Sequence, residues 1–226
     1  MTLNNVFNKW GTDKGNKHNA AHNYAPIYEQ IFEDIEVENL LEIGIENGNS
    51  HNAWAEYFPD AMIYGADRKP IDLDHLRILQ LTCNQNDIDS FFTDQWQSLP
   101  LMDIIIDDGG HCMNHHAITL AALWHKVKPG GYYVIEDVHT CNYPKGSELF
   151  GQAVMNDIAN TLVTFRDYLI SINKRTHIFN TPFAELKKLD TFDIKSVRII
   201  GDNNSDTLDI ENIMKHGLIV IKKCPV

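Results

Sequence analysis

Residues 39–50 read NLLEIGIENGNS, and the way that stretch ends decides the fold. Residues 39–45 form a short apolar run of strand length. Gly44 and Gly48 lie four apart, and Ser50 is placed as the N-cap of a helix over 50–57. A strand that enters a glycine turn and leaves as a helix is the opening unit of an α/β sheet. Outward from it, residues 61–66 (AMIYGA) read as a second strand running into Asp67, and residues 102–106 as a third. Residues 132–135 read as a fourth, entered through Lys128-Pro129-Gly130-Gly131. Helical character occupies 24–35, where Ile27, Ile31 and Ile35 share a face, and 114–125. Residues 148–172 repeat apolar side chains every three or four positions and predict a long amphipathic helix. Residues 196–201 and 217–222 are two further strands, joined by a long polar loop. Strands alternating with helices predict a doubly wound, mostly parallel sheet, closed by a C-terminal antiparallel pair.

Composition narrows the function. The chain has 226 residues, 43% hydrophobic and 22% charged, enough for a substantial core and within the span of one α/β domain. Its net charge of −12, with no basic cluster, excludes binding that depends on the phosphate backbone of nucleic acids and disfavours acidic membranes. No apolar run approaches the ~18 residues of a membrane span. The opening stretch lacks the order of a signal peptide, and Cys83, Cys112, Cys141 and Cys224 make no C-x-x-C pair. Reduced thiols in a cytoplasm are expected. A homodimer is the default assembly.

Ligands of such sheets bind beyond the C-terminal ends of the strands. There Gly44 and Gly48 would let the backbone approach a ligand, and Asp67 could accept both hydroxyls of a ribose. The turn lacks the middle glycine of G-x-G-x-x-G, and Glu42 and Glu46 flank it. Carboxylates repel a pyrophosphate but suit the sulfonium and ammonium of S-adenosylmethionine. The third strand runs into Asp107-Asp108-Gly109-Gly110-His111 and the fourth into Glu136-Asp137-Val138-His139. Clustered carboxylates need a cation among them, and oxygen ligands favour Mg²⁺, Mn²⁺ or Ca²⁺ over zinc. His111 could remove a proton from a bound hydroxyl. Strand residues alternate in direction, so Asp107 and Asp108 cannot both ligate, and one must face the cofactor or the backbone. Glu136 and Asp137 converge only if the strand has already broken there. His115 and His116 are read as packed or solvent-facing, and a zinc site of His111, Cys112 and His115 as the lesser alternative.

Glu42-Ile43-Gly44, Asp107-Asp108-Gly109-Gly110-His111 and Glu136-Asp137-Val138-His139-Thr140 together resemble the metal-dependent sugar O-methyltransferases of the macrocin and mycinamicin type. Gly11-Thr12-Asp13-Lys14-Gly15, with Tyr24 and Tyr28, resembles bacterial members of that group. The likeness covers roughly residues 8–145. It implies a seven-stranded, Rossmann-like methyltransferase sheet in a single domain over 1–226, with residues 1–36 as a helical segment over the site. Asp108, Glu136 and Asp137 are then the ligands of Mg²⁺ or Mn²⁺, and His111 is the general base. Glu42, Gly44, Gly48, Ser50, Asp67 and Asp107 would serve S-adenosylmethionine, with Asn84 and Gln85 near the adenine and His139 near the substrate. Two departures stand out: Gly110 replaces a serine and Asn84 an aspartate. The implied reaction is methyl transfer to the hydroxyl of a small sugar-bearing acceptor. The alternatives are a catechol or other non-sugar diol as acceptor, and a nicotinamide-dependent oxidoreductase.

Overall fold

A computed structural model describes residues 1–17, 22–69, 71–138, 193–201, 206 and 217–225. Two N-terminal helices, α1 (Leu3–Trp10) and α2 (Ala25–Phe32), precede the first strand. Then follow β1 (Asn39–Ile43), α3 (Asn49–Tyr57), β2 (Met62–Asp67) and β3 (Ile78–Thr82). A short α4 (Asp94–Gln97) leads to β4 (Met102–Asp107), α5 (Met113–Leu123) and β5 (Val127–Ile135). The last two strands are β6 (Ile194–Ile200) and β7 (Leu218–Lys223). The predicted helix over 148–172 lies outside the described residues.

The strands form a seven-stranded sheet in the order β3-β2-β1-β4-β5-β7-β6. Strands β3 to β5 of that order pair in parallel, and β7 runs antiparallel to both β5 and β6. The C-terminal antiparallel pair is therefore as expected. Strand β3 falls in the stretch that showed no pattern. It is an edge strand in which only Ile78 and Leu81 are buried, so it has no continuous apolar run to announce it. Strand β5 begins earlier than predicted, because the Lys128–Gly131 segment continues the strand across a register shift opposite Met102 and Ile104.

Alternation along the strands sends side chains into two cores. Leu41, Ile43, Ile105 and Ile135 join the core beneath α5. Leu40, Ile104, Ile106 and Val134 join the core under α1, α2 and α3. Trp54 of α3, fully buried, is the hub of the second: Phe7 meets it edge-on at 4.8 Å and Tyr28 at 5.1 Å. Burial of such rings contributes about 1.5–3 kcal/mol each, and it fixes α1 and α2 against the sheet. Helix α1 ends at Gly11, whose left-handed φ of 76° turns the chain back. Residues 11–17 and 22–24 are thereby laid over the ends of β1, β4 and β5.

Candidate active site

The same alternation decides which acidic side chains meet. Glu42 follows Leu41 and so points to the α1–α3 side; Asp108 and Glu136 do likewise, one residue beyond Asp107 and Ile135. Asp107 points to the opposite side, under α5. Strand β5 stops at Ile135, and Asp137 takes a left-handed φ of 55°, which turns its carboxylate to the side of Glu136. The break that joint action of Glu136 and Asp137 requires is present. His111 also has positive φ, 50°, uncommon for a residue other than glycine.

The carboxylates are held by donors from the N-terminal segment. Lys14 Nζ lies 2.5 Å from Asp108 Oδ2, 2.7 Å from Glu136 Oε2 and 3.2 Å from Glu42 Oε1. Tyr28 donates its hydroxyl to Glu136 Oε1 in a short hydrogen bond, and Tyr24 donates to Asp137 Oδ1 at 2.7 Å. His22 stacks on Tyr24 and lies 3.8 Å from Asp137 Oδ1. On the far side His111 Nε2 sits 4.0 Å from Asp108 Oδ1 and 3.9 Å from Asp137 Oδ2. Asp108 thus turns one oxygen to Lys14 and the other to His111.

Among the described residues, two sets of side chains lie close enough to share a cation: Asp108, His111 and Asp137, and Glu42, Asp108 and Glu136. The three expected metal ligands are distributed over both sets, joined by Asp108. The inner set surrounds Lys14. The outer set is partly open, with side chains of Asp108, Asp137 and His111 exposed by 22%, 12% and 30%. Cys112 and His115 enter neither set, because the His115 ring is turned to Asn86 Oδ1 at 2.7 Å. The zinc alternative has no geometry here.

Burial and the neighbouring acids hold Asp108 well above the usual carboxylate range despite Lys14. Burial likewise raises Glu136, to about 7, against the pull of Lys14. Burial would lower Lys14, but Asp108, Glu136 and Glu42 outweigh it and keep the ammonium charged. Burial lowers His111, against the attraction of Asp137, which favours the neutral ring that a general base needs.

Several cofactor assignments are re-placed. Ser50 does not cap α3; Gly48 holds that position in a left-handed conformation, and Ser50 Oγ donates to Glu42 Oε2 at 2.7 Å. Glu42, wholly buried, also accepts from Trp54 Nε1 at 3.2 Å. These two support the site from beneath rather than from an open cleft. Asp107 points away from the acidic cluster: its carboxylate is fully buried under α5, where Gln85 Nε2 reaches it at 2.7 Å and His116 Nδ1 at 3.0 Å. His116 and Gln85 hold it below the ordinary range although burial alone would raise it.

Gln85, expected near the adenine, is likewise spent internally. It donates to Asp107 and to Thr119 Oγ1, and its Oε1 accepts from Gly110 N at 2.7 Å. Asp67 accepts from the backbone of Ile45 and Arg68, fixing the turn after β1. Asn84 is exposed at the same edge. His139 lies outside the described residues.

Two glycines lie at points of close approach. A Cβ on Gly44, whose φ is 99°, would lie 2.1 Å from the Asp108 carbonyl oxygen. One on Gly110 would meet His115 Nδ1 at 2.2 Å, so a serine there would require the His115 ring to move. Sequence reasoning missed the inward role of Lys14, since a single lysine in a polar segment has the pattern of a surface residue. The packing of His116 against Asp107 was equally hidden.

The strand order and the acidic edge define an α/β fold of the methyltransferase type. No family model matches the sequence. The chain is similar to mycinamicin VI 2''-O-methyltransferase of Micromonospora griseorubida, 36% identical over 138 residues, or 57% of this chain and 34% of that protein. It is also similar to demethylmacrocin O-methyltransferase of Streptomyces fradiae, 34% identical over 60% of this chain and 35% of that protein. It therefore spans about a third of the length of these curated relatives. Among solved structures it superposes on the MycE methyltransferase of the mycinamycin biosynthetic pathway, in complex with Mg, SAH and mycinamycin VI. That match has a TM-score of 0.72 at 25% identity, over all of this chain and 55% of the other.

Proposed function

We propose that this chain is an S-adenosylmethionine-dependent, divalent-metal-dependent O-methyltransferase acting on a sugar hydroxyl of a small molecule. The observation that carries the reading is the meeting of Asp108, Asp137 and His111 at the open edge of β4 and β5, beside the glycine turn of β1. The named relatives support the sugar hydroxyl as the acceptor. The donor set fits a hard cation: oxygens of Asp108 and Asp137 face outward, and Glu136 lies behind them. Gly44 lets β1 and the end of β4 approach more closely than any side chain would permit, which sets the glycine turn beside the acids.

A bound Mg²⁺ or Mn²⁺ would lower the cost of forming an alkoxide and orient it. This chain's residues do the rest. Gly44, Gly48 and Asp67 shape the cofactor turn, with Glu42 and Ser50 bracing it from below. His111, kept neutral by burial, accepts the hydroxyl proton at Nε2, the nitrogen that faces both carboxylates. Tyr24 fixes Asp137 through its hydrogen bond, and Gln85 pins the Gly110 backbone before His111.

The test is transfer of labelled methyl from S-adenosylmethionine to a panel of free and aglycone-bound sugars, a catechol included, with and without EDTA. EDTA-sensitive transfer to a sugar is the expected outcome. Transfer only to the catechol moves the acceptor class, and full activity in EDTA removes the metal. Binding of NAD with none of S-adenosylhomocysteine overturns the reading altogether.

A further inference from the structure

The ammonium of Lys14 is 1% exposed, and all three of its close oxygen partners are carboxylates. Four acids, Glu42, Asp108, Glu136 and Asp137, gather at this edge, and buried acids repel one another unless a cation stands among them. Lys14 supplies that positive charge from within the chain. It draws on Asp108 and Glu136, both also expected to serve a metal.

Four carboxylates, one ammonium and one divalent cation leave a single negative charge. S-adenosylmethionine, with a sulfonium, an ammonium and a carboxylate, carries a single positive one. With Lys14 in place the site closes to neutrality on one metal and one cofactor; without it, one more positive charge is demanded.

From this geometry, and resting on the metal-dependent reading above, we infer that Lys14 is a positioning residue acting as a resident cation. It holds the carboxylates together before the metal arrives, and it competes with the metal for the oxygens of Asp108 and Glu136. The two effects oppose each other. Removing Lys14 weakens the metal-free fold and at the same time tightens metal binding. A lysine with a merely structural role would, on removal, weaken both.

The experiment compares wild type, Lys14→Met and Tyr28→Phe by Mn²⁺ titration, following free Mn²⁺ by electron paramagnetic resonance, and by thermal melting in EDTA or Mn²⁺. Lys14→Met is expected to melt below wild type in EDTA, to bind Mn²⁺ at least about tenfold more tightly, and to gain more in Tm from the metal. Tyr28→Phe removes a neutral donor from Glu136 and is expected to lower Tm without tightening Mn²⁺. Unchanged or weaker Mn²⁺ affinity in Lys14→Met overturns the inference while leaving the metal reading intact. A wild type that takes up no Mn²⁺ overturns the metal reading, and this one with it. If Lys14→Met is unfolded in EDTA, refolding from urea decides: recovery in Mn²⁺ alone supports the resident cation, and failure in both buffers refutes it.

Discussion

Replacing Gly44 by alanine tests whether the end of β1 is held against the end of β4 as closely as the structure shows. The new Cβ would lie 2.1 Å from the carbonyl oxygen of Asp108 and 2.9 Å from its carbon, both backbone atoms. Neither can swing aside as a side chain would. Asp108 N donates to Ile43 O at 3.0 Å, tying the two chain segments where they would have to part, and Gly44 N donates to Ala66 O of β2 at 2.7 Å, holding Gly44 in place from its other side. Relief requires a separation of about 1 Å. The cost has three parts: about 1–2 kcal/mol for a side chain at φ 99°, about 1 kcal/mol for a weakened hydrogen bond, and about 1–3 kcal/mol for overpacking. A loss of about 3–6 kcal/mol is expected. Gly130→Ala is the control. Its φ is also positive, 81°, but the nearest atom to its Cβ would be Pro225 Cβ at 4.0 Å, so only the backbone strain applies. Urea denaturation of both variants, analysed at common slope, should separate them by about 2–4 kcal/mol. Equal losses would refute the close approach.

Three further outcomes follow from the site. His111→Ala should reduce turnover by about 10²–10⁴-fold while leaving S-adenosylhomocysteine affinity unchanged by calorimetry; a loss confined to cofactor binding would contradict the role of base. Gln85→Leu takes one donor each from the buried Asp107 carboxylate and the Thr119 hydroxyl and removes the side-chain acceptor of the Gly110 N–H. It should cost about 3 kcal/mol in urea, and a loss under 1 kcal/mol would show that the network is dispensable. Metal-free protein should lose stability as pH rises from the ordinary glutamate value near 4.5 through about 7, because folded Glu136 retains a proton that the unfolded chain releases. Melting curves across that range should show the slope, and Mn²⁺, which binds the deprotonated acids, should flatten it; a rise in Tm with pH in EDTA would refute the assignment.

How far the sequence disclosed this site depended on pattern. The inner stretches of β1, β4 and β5 (Leu40–Ile43, Ile104–Ile106 and Tyr132–Ile135) are buried on both faces and carry short apolar runs, and the acids at their ends could be placed by strand alternation alone. That rule also foretold that Asp107 and Asp108 would part, though not that Asp107 would meet His116. Strand β3 was invisible because an edge strand with Leu79 half exposed has no such run. Ser50 misled because its hydroxyl had a stronger use eight residues back, at Glu42, than at a helix end already turned by Gly48. Lys14, Tyr24 and Tyr28 were legible only through resemblance, since their partners lie 94–122 residues away and no local period records such a pairing.

Those long separations also bear on how the chain acquires its site. Helices α1 and α2 and strand β1 leave the ribosome before any of the acids at the ends of β4 and β5 exist. Loop-closure entropy over about a hundred residues must then be met before the first of these contacts forms. During synthesis the nascent N-terminal segment has its donors ready while, of their carboxylate partners, only Glu42 has yet been made. Completion of β5 delivers Glu136 and Asp137 together, and the last stage of assembling this edge is the capture of a waiting ammonium and two waiting hydroxyls.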